Sequence, residues 1–599
     1  MKRTLALLCT MCACISAQSL RLERVGSYAT GVFNRGAAEI AAHDPRSQRL
    51  FVVNGDAASV DILDISTPAS PRLVLRLRIP ERWGAAANSV AVYNGIVAVA
   101  VEAANRQEPG SVFFMNSDGQ ISGGVRVGAV PDMVTFTPNG QYVLTANEGE
   151  PSTNYANDPE GSVSIIDIRN GVNSLTESSV RTATFTSFNA APPAGVRVYG
   201  PRATLAQDVE PEYITVAPDS RTAYVTLQEA NVIGVIDIER ALVTRLLPLG
   251  QKDHTLSGNG LDASDRDMTI NIRNWPVFGM YQPDGIANFT VGGTTYLITA
   301  NEGDTRDYSA YAEEVRVGAA DLDPTIFPNA AELKMNENLG RLTVSRALND
   351  TDGDGDLDRL TVPGGRSFTI WTTDGRLVWD SGDQLERITA REFPAEFNSD
   401  ATGGLDTRSD NKGPEPETVI TATIRGRVYA FVALERMGGV MVWDVTTPTA
   451  PTFVQYTWGR IAGGSAAAGT GGDHGPEGLL YIQASDSPTG DPMIVVANEV
   501  SGSTTLYRIA LPVTARIGQL NSTITNYEQV LDASGSTGTN LRYAWRVLGR
   551  QVSLIGADQP QARLQFNSGY GDYEVELTVT DAVGNSDTAR TVLSYRGYR

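Results

Sequence analysis

Five aspartates at alternating positions are the sharpest metal-binding signal in this chain. They occupy positions 1, 3, 5, 7 and 9 of a segment with Gly355 at position 6. In such a loop alternate residues face one ion while the glycine turns the chain, which is typical of calcium sites. An EF-hand would carry Glu at position 12, where this chain has Thr361, and no helical pattern flanks the segment. We therefore predict a stand-alone calcium loop that braces its surroundings, made by Asp350, Asp352, Asp354, Asp356 and Asp358; the alternative is an acidic, solvated turn.

A second set of acids opens the copies of an internal repeat. Each acid precedes a run in which apolar residues alternate, and a weaker copy starts at Asn88. Carboxylates that are brought close together repel one another, raise one another's pKa values or bind cations. We predict a second divalent-metal site at the mouth of a channel; the alternative is that these acids cap turns within each repeat. The set is Glu39, Asp132, Glu212, Asp284, Glu417 and Glu477.

A further tier of acids ends the neighbouring strand of most copies. The pattern is an Asn-Glu pair, with looser versions in three copies. We expect these acids to surround the first set. They are Glu148, Glu302 and Glu499, with Glu102, Glu229 and Glu435 in the looser copies.

Other polar residues near the predicted mouth are candidates for catalysis. An arginine there would hold a phosphate in a forked contact, and a histidine would act as a ligand or as an acid or base. The sequence has only 3 histidines, which disfavours a zinc site built from several of them. No nucleophile elbow, P-loop or dinucleotide fingerprint is present in a fitting context. The candidates are Lys252, His254, Asp304, Arg306, Arg436 and His474.

The repeat itself predicts the elements that position these residues. Each unit has three or four short strands with a two-residue apolar period, which favours propeller blades over a helical solenoid. Seven starts predict an all-β, seven-bladed β-propeller over residues 18–512, with a large insertion at about 304–411. A lone strand at 20–27 is expected to complete the seventh blade, so that no sheet edge stays open at the seam.

The chain's two ends differ in texture from the repeats. Residues 1–17 are predicted to be a signal peptide, and they contain all three cysteines, so the mature chain has no thiol chemistry. Residues 520–599 contain LDASGS at 531–536, YAW at 543–545 and VTD at 579–581. With these strings the segment resembles a PKD domain, an Ig-like β-sandwich, with Trp545 as a core residue. The net charge of −21 argues against a nucleic-acid partner, and no later stretch predicts a transmembrane segment. We expect a secreted or cell-surface protein, with the periplasm as the alternative.

Several longer strings give the propeller region a family resemblance. They are KDH at 252–254, GNGLDASD at 258–265, GMYQPDG at 279–285, ANEGD at 300–304, GGRSF at 364–368, GPEPE at 413–417, GPEG at 475–478 and ANEVSG at 497–502. Together they resemble the choice-of-anchor I family, whose relatives include cell-surface glycoproteins of biomineralising animals and atypical bacterial alkaline phosphatases.

Two functions are expected. The acidic composition, the calcium loop and the missing nucleophile favour a calcium-binding extracellular scaffold with a protein or polysaccharide partner. The alternative, which the resemblance implies, is a metal-dependent, alkaline phosphatase-like enzyme that hydrolyses a phosphate ester with carboxylate-held metal at the mouth.

Overall fold

The computed structural model describes residues 20–521, 523–538, 540–581 and 584–597. The predicted signal peptide and its cysteines lie outside them. Strands take up 44 % of the structure and helices 5 %, so the all-β prediction is confirmed. The chain divides into a large unit, Arg24–Arg508, and a C-terminal unit, Ile509–Arg599, to which the start of the chain up to Glu23 is assigned.

In the described part of the large unit, seven four-stranded sheets follow one another along the chain. Neighbouring strands of the first six sheets are antiparallel. In the seventh sheet, Pro476–Ile482, Met493–Asn498 and Ser503–Ala510 are also antiparallel to their neighbours in that order. The strands are Ala41–Asp44, Arg49–Asn54, Ser59–Asp64 and Arg72–Arg78 in sheet 1; Ala86–Tyr93, Ile96–Glu102, Pro109–Asn116 and Ile121–Ala129 in sheet 2; Pro131–Phe136, Tyr142–Asn147, Ser162–Asp167 and Val180–Thr184 in sheet 3; Pro211–Val216, Thr222–Leu227, Val232–Asp237 and Leu242–Pro248 in sheet 4; Ile286–Val291, Thr294–Asn301, Ser367–Thr372 and Leu377–Asp380 in sheet 5; Pro416–Ile424, Arg427–Leu434, Val440–Asp444 and Thr452–Thr457 in sheet 6; and Pro476–Ile482, Met493–Asn498, Ser503–Ala510 and Arg21–Ala29 in sheet 7.

The first strands of these sheets form a closed series of contacts. Each first strand touches the first strand of the next sheet, and Pro476–Ile482 of sheet 7 touches Ala41–Asp44 of sheet 1. The strand Arg21–Ala29 lies beside Ser503–Ala510 at the outer side of sheet 7. A cyclic order of this kind is what a propeller requires. The number of blades and the closing role of Arg21–Ala29 stay predictions, which these contacts support.

The core lies between adjacent sheets. In most sheets the second and third strands are buried along nearly their whole length, so they carry continuous apolar runs rather than alternation. Between sheets 5 and 6, Trp443 is fully buried and its ring centre lies 5.2 Å from that of Phe368 and 5.4 Å from that of Phe453. Such interleaved aromatic rings fix the distance between two sheets.

Long excursions leave the regular sheets around sheet 5. A five-stranded sheet contains Gln251–Asp253, Phe278–Met280, Thr361–Val362, Thr343–Ser345 and Glu314–Arg316, and a small hairpin pairs Asp307–Tyr308 with Tyr311–Ala312. The extra sheet thus draws strands from both sides of the first two strands of sheet 5. The helices are Leu205–Asp208, Ala330–Leu333 and Gln384–Glu392, with single 3₁₀ turns at Val172–Ser174, Glu177–Ser179, Thr186–Phe188 and Pro394–Glu396. None of the helices in the described ranges is long and apolar enough to span a bilayer.

The C-terminal unit contains two sheets around one core. A four-stranded sheet has the order Thr523–Ile524, Ser586–Tyr595, Gly571–Thr580 and Arg542–Leu548, and a three-stranded sheet has the order Glu528–Asp532, Gln561–Gln565 and Ser553–Ile555. Residues of both sheets share a hydrophobic cluster that includes Leu531 and Trp545. Trp545 is 3 % exposed, which confirms its prediction as a core residue.

Replacing Trp443 by alanine should destabilise the large unit by about 3–5 kcal/mol, because it leaves a cavity between sheets 5 and 6. Urea unfolding followed by circular dichroism measures this change. The matched control is Val74→Ala on the exposed strand Arg72–Arg78, which should change stability by no more than about 0.5 kcal/mol. Equal effects of the two substitutions would contradict the core assignment.

Candidate metal centre

The acid at the start of a sheet's first strand lies, in four of the sheets, where the pairing with the second strand is irregular. In four sheets the first strand begins with a proline followed by an acid. Just after each proline the pairing register shifts, as a β-bulge requires. A bulge takes residues out of the regular ladder and re-aims their side chains. The pairs are Pro131-Asp132, Pro211-Glu212, Pro416-Glu417 and Pro476-Glu477.

The residue before the proline has a left-handed backbone in every one of these copies. The same holds before Pro283, which precedes Asp284. A positive φ costs a non-glycine residue about 1–3 kcal/mol, so recurrence at equivalent places marks a constraint that the rest of the fold maintains. The φ values are 46° at Val130, 38° at Glu210, 38° at Gln282, 48° at Glu415 and 63° at Gly475.

These turns bring acids from distant parts of the chain to one cavity of about 320 Å³. Seven carboxylates line it, and Arg106 is the basic residue among the lining side chains. Four of the seven belong to the predicted first set and three to the predicted second tier. The lining acids are Glu39, Glu102, Asp132, Glu148, Asp284, Glu477 and Glu499.

Several groups of three acids at this centre are close enough to share one ion, and two of these groups combine acids of both predicted sets. Single oxygens from Asp132, Glu148 and Glu212 lie within 4.8 Å of one another. The same holds for Asp284, Glu302 and Glu417. In both groups the first two sets of predicted acids meet. The Oε2 atom of Glu417 is buried and has no hydrogen-bond partner.

Burial and mutual repulsion raise the pKa values of these carboxyl groups. Burial, and after it the charge of Glu499, raises the pKa of Glu39 to about 8. Burial and the charge of Asp284 raise the pKa of Asp132 to about 8. The same causes hold the pKa of Glu477 well above its usual range. Without a cation, several of these groups would keep a proton at neutral pH.

Basic side chains neutralise part of this cluster. Arg106 pairs with Glu102 at 3.2 Å and with Glu150 at 2.8 Å. Lys412 pairs with Glu302 and, at 3.1 Å, with Glu415. Burial favours the protonated form of Glu415, but Lys412 and other nearby basic residues lower its pKa overall.

The profile of the choice-of-anchor I domain matches residues 39–448 of this chain, which is more than half of its length. The chain belongs to the choice-of-anchor I family. Five of the seven sheets, the first three strands of sheet 6 and five of the seven lining acids fall within the matched residues; Glu477 and Glu499 come after them.

Two curated proteins are similar to this family member. Gigasin-3a of Magallana gigas is 31 % identical over 187 residues, which cover 28 % of this chain and 64 % of that protein. The mesenchyme-specific cell surface glycoprotein of Strongylocentrotus purpuratus is 26 % identical over 281 residues, which cover 40 % of this chain and 35 % of that protein. The chain therefore spans less than two thirds of the length of either relative.

Similar solved structures include the Kuenenia stuttgartiensis hydrazine synthase, with 13 % identity and a TM-score of 0.40 over 80 % of this chain and 99 % of that one. They also include the Myceliophteria thermophila Cps50 (Swd1) β-propeller domain, with 9 % identity and a TM-score of 0.37. That match covers 82 % of this chain and 99 % of that one.

In this choice-of-anchor I chain, Lys252, His254 and His474 are not among the residues that line the cavity. Lys252 is buried, donates to the carbonyl oxygens of Gly365 and Gly382, and pairs with Asp380 at 3.0 Å. The Nδ1 atom of His254 lies 2.6 Å from the carbonyl oxygen of Asn259.

Both ring nitrogens of His474 face backbone carbonyl oxygens, those of Ala401 at 2.8 Å and Gly471 at 2.9 Å. Burial lowers the pKa of both His254 and His474. Burial favours the neutral form of each ring, whereas the two carbonyl oxygens beside His474 favour a second proton on that ring. Both rings contact the protein's own backbone, which favours a structural role.

The candidate arginines are held in ion pairs. Arg306 is 2 % exposed, contacts Asp208 and Glu210, and stacks over Tyr199 at 4.7 Å. Arg436 is about one third exposed and pairs with Glu435 at 2.9 Å. Neither arginine lines the cavity.

Asp304 is exposed and its backbone oxygen accepts a hydrogen bond from Gln282. The predictions missed Glu150, Glu210 and Glu415, because these acids stand beside the repeated motif rather than in it. The positive φ before a proline is the signal that Glu210 and Glu415 share, and it is not visible in residue types.

In the predicted calcium loop, part of the carboxylate set bonds the loop's own backbone. Asp350 accepts from the amides of Gly353 at 2.7 Å and Gly355 at 3.0 Å. The acids whose oxygens lie close together are Asp356, Asp358 and Asp323. Asp323 was not among the predicted residues. One oxygen of Asp356 is buried without a partner, and burial together with nearby carboxylates raises its pKa to about 6.

Stability of the metal-free protein should fall as the pH rises from about 5 to about 8. The folded state holds protons on Glu39 and Asp132 up to about pH 8, whereas unfolded carboxyls lose theirs near pH 4. Each extra proton bound in the folded state lowers stability by about 1.4 kcal/mol per pH unit in this window. Urea unfolding at several pH values, after metal removal, measures the slope.

The double variant Glu39→Gln, Asp132→Asn should have a shallower slope, whereas Glu177→Gln on an exposed 3₁₀ turn should leave it unchanged. A wild-type profile that is flat between pH 5 and 8 would contradict the raised pKa values.

Replacing Arg306 by methionine should destabilise the protein by about 3–5 kcal/mol, because Asp208 and Glu210 are left buried without a counter-charge. Arg376→Met, which removes a largely exposed pair with Asp374, is the control and should cost no more than about 1 kcal/mol. Both are measured by urea unfolding. An Arg306→Met protein with wild-type stability but impaired handling of a phosphate ester would restore its predicted phosphate-binding role.

Proposed function

We propose that this protein is an extracellular or cell-surface scaffold whose central acidic cavity binds calcium. In this proposal the seven sheets are the blades of a propeller, Arg21–Ala29 completes the seventh, and residues 520–599 are a PKD-like module. The bound ion joins the inner strands of several blades, and the surrounding loops present a surface to a partner.

The observation that carries the proposal is the shared cavity itself. Glu39, Asp132, Asp284 and Glu477 open four different sheets and line one space. Their mutual repulsion opposes the fold, and a divalent cation is the simplest way to remove it. The unpartnered Oε2 atom of Glu417 gives such an ion a further ligand.

The ligand chemistry favours calcium over other metals. The side chains that line the cavity offer carboxylate, amide and hydroxyl oxygens, and neither histidine nor cysteine is among them. Calcium takes six to eight oxygen ligands in flexible geometry, whereas magnesium requires a near-regular octahedron. Zinc and copper prefer nitrogen or sulfur ligands. Acids held by several independent strands suit the more adaptable ion.

We also propose a calcium site at the loop that contains Asp356 and Asp358. The third acid is Asp323, from the segment before helix Ala330–Leu333. An ion at this place would hold two parts of the insertion together. It would act in bracing, since the catalytic candidates lie elsewhere.

An extracellular or surface location agrees with the name of one relative, the cell surface glycoprotein, and with membership of the choice-of-anchor I family. The partner is an extracellular protein or polysaccharide.

Hydrolysis of a phosphate ester is the alternative that the cavity supports less. Seven carboxylates face a single lining cation, Arg106, so a phosphate would be repelled unless metal ions were already bound. Arg306, which was predicted to hold phosphate, is enclosed by Asp208 and Glu210.

Calorimetric titration of metal-free protein with calcium chloride should show binding with Kd values of about 10⁻⁶–10⁻³ M. At calcium a hundred times above Kd, a site adds about 2.7 kcal/mol to the free energy of unfolding. The variant Asp132→Asn, Glu477→Gln should lose the cavity ion, whereas Asp356→Asn, Asp358→Asn should lose only the loop ion. The control Asp374→Asn, Glu177→Gln should bind as the wild type does.

Para-nitrophenyl phosphate hydrolysis, measured on the same proteins with calcium, magnesium or zinc, separates the two functions. Calcium binding without turnover supports the scaffold. Turnover by the wild type that disappears in Asp132→Asn, Glu477→Gln would contradict the scaffold proposal and support the phosphatase alternative. Identical calcium binding by the wild type and the cavity variant would rule out the cavity as the site.

A further inference from the structure

A separate group of three acids lies among the long loops, away from the residues that line the central cavity. Single oxygens of Asp262, Asp267 and Asp406 lie within 4.8 Å of one another. Two ligands of one calcium ion, each at 2.3–2.6 Å, are at most about 5 Å apart. The spacing of the three oxygens therefore fits a single ion.

Asp406 has an oxygen that the protein leaves without a partner. The residue is 4 % exposed. Its Oδ1 atom accepts a hydrogen bond from the Ser409 hydroxyl, while its Oδ2 atom is buried and accepts none. A buried carboxylate oxygen without a partner is destabilising, so the fold carries this cost unless something else binds there.

Within the described ranges, none of the three acids forms an ion pair with lysine or arginine. The nearest basic residue in sequence, Arg266, pairs instead with Asp265 at 3.2 Å. The negative charge of the group is thus left for a ligand to neutralise.

Hydrogen bonds hold the acids on the first loop in place. The backbone amide of Asn271 donates to Asp262 at 2.5 Å, and its side-chain amide donates to Asp267 at 3.1 Å. One asparagine therefore orients two of the three carboxylates. Pre-positioned ligands lose little freedom when an ion binds.

A buried arginine holds the first loop and the segment that carries Asp406 in place together. Arg366 donates to the carbonyl oxygens of Asp262 at 2.6 Å, Ser409 at 2.7 Å and Asn411 at 2.6 Å. It also pairs with Glu386 of helix Gln384–Glu392 at 2.7 Å. The two segments are thus joined beside the three carboxylates without using any of them.

We infer that Asp262, Asp267 and Asp406 form a binding site for a hard divalent cation, calcium above all, that clamps the loop at 261–271 to the segment at 397–411. All three protein ligands are carboxylates, which is the ligand set of calcium rather than of zinc or copper. The site is independent of the central cavity, because it shares no residue with it.

The test counts bound calcium in the full protein. After equilibrium dialysis against calcium chloride and elemental analysis, the variant Asp262→Asn, Asp406→Asn should hold one calcium ion fewer per molecule than the wild type. Asparagine keeps the shape of aspartate and an oxygen, and circular dichroism in excess chelator checks that the variant is folded. The control Asp374→Asn, Glu177→Gln should keep the wild-type number. The cavity variant Asp132→Asn, Glu477→Gln should still bind at this site.

A second measurement does not depend on any variant. Crystals of the wild-type protein soaked in terbium chloride should show an anomalous peak bounded by Asp262, Asp267 and Asp406. A peak together with the loss of one ion in the variant supports the site. An unchanged ion count in the folded variant, or terbium peaks elsewhere with none between these acids, would overturn it. Failure of the cavity variant to lose an ion would contradict the proposed cavity site and leave this one standing.

Discussion

Repulsion between buried carboxylates is the constraint on which the rest of this structure depends. Glu39, Asp132, Asp284 and Glu477 open four different sheets, yet they face one cavity where burial and like charge oppose their ionisation. Hydrophobic packing between adjacent sheets must outweigh this cost for the first strands to meet. The bulges and left-handed turns at the strand starts add strain in the same places. Backbone strain and shifted carboxyl pKa values that occur together in this way are typical of functional sites.

The general plan was readable from the sequence because it repeats. The two-residue apolar period predicts strands, and the recurrence of an acid at each start predicts that Asp132 and Glu477 occupy equivalent places. The first strands of successive sheets contact one another, so residues at equivalent positions on these strands lie close together. Asp132 and Glu477 accordingly both line the cavity. Of the first set, Glu212 and Glu417 instead belong to the groups of three acids at the same centre. Trp545 was likewise predictable as a core residue, because large aromatic residues within alternating strands are usually buried.

Residue type was a weaker guide outside the repeat. Lys252 and His474 have the chemistry of catalytic groups, but backbone carbonyl groups of remote segments already occupy their polar atoms. In the aspartate loop, Asp350 bonds backbone amides, while Asp323, distant in sequence, joins Asp356 and Asp358. Both outcomes depend on which segments become neighbours in space. Asp262 and Asp406 are still farther apart in the chain, and no spacing rule connects them.

The cavity takes its acids from nearly the whole length of the large unit, from Glu39 to Glu499. No fragment shorter than 39–499 contains the complete set, so a polypeptide truncated within that range lacks part of the acid-lined cavity. Long-range closure of this kind comes late and slowly in folding. The acid-lined cavity is therefore complete only when the last sheet of the large unit has joined the first.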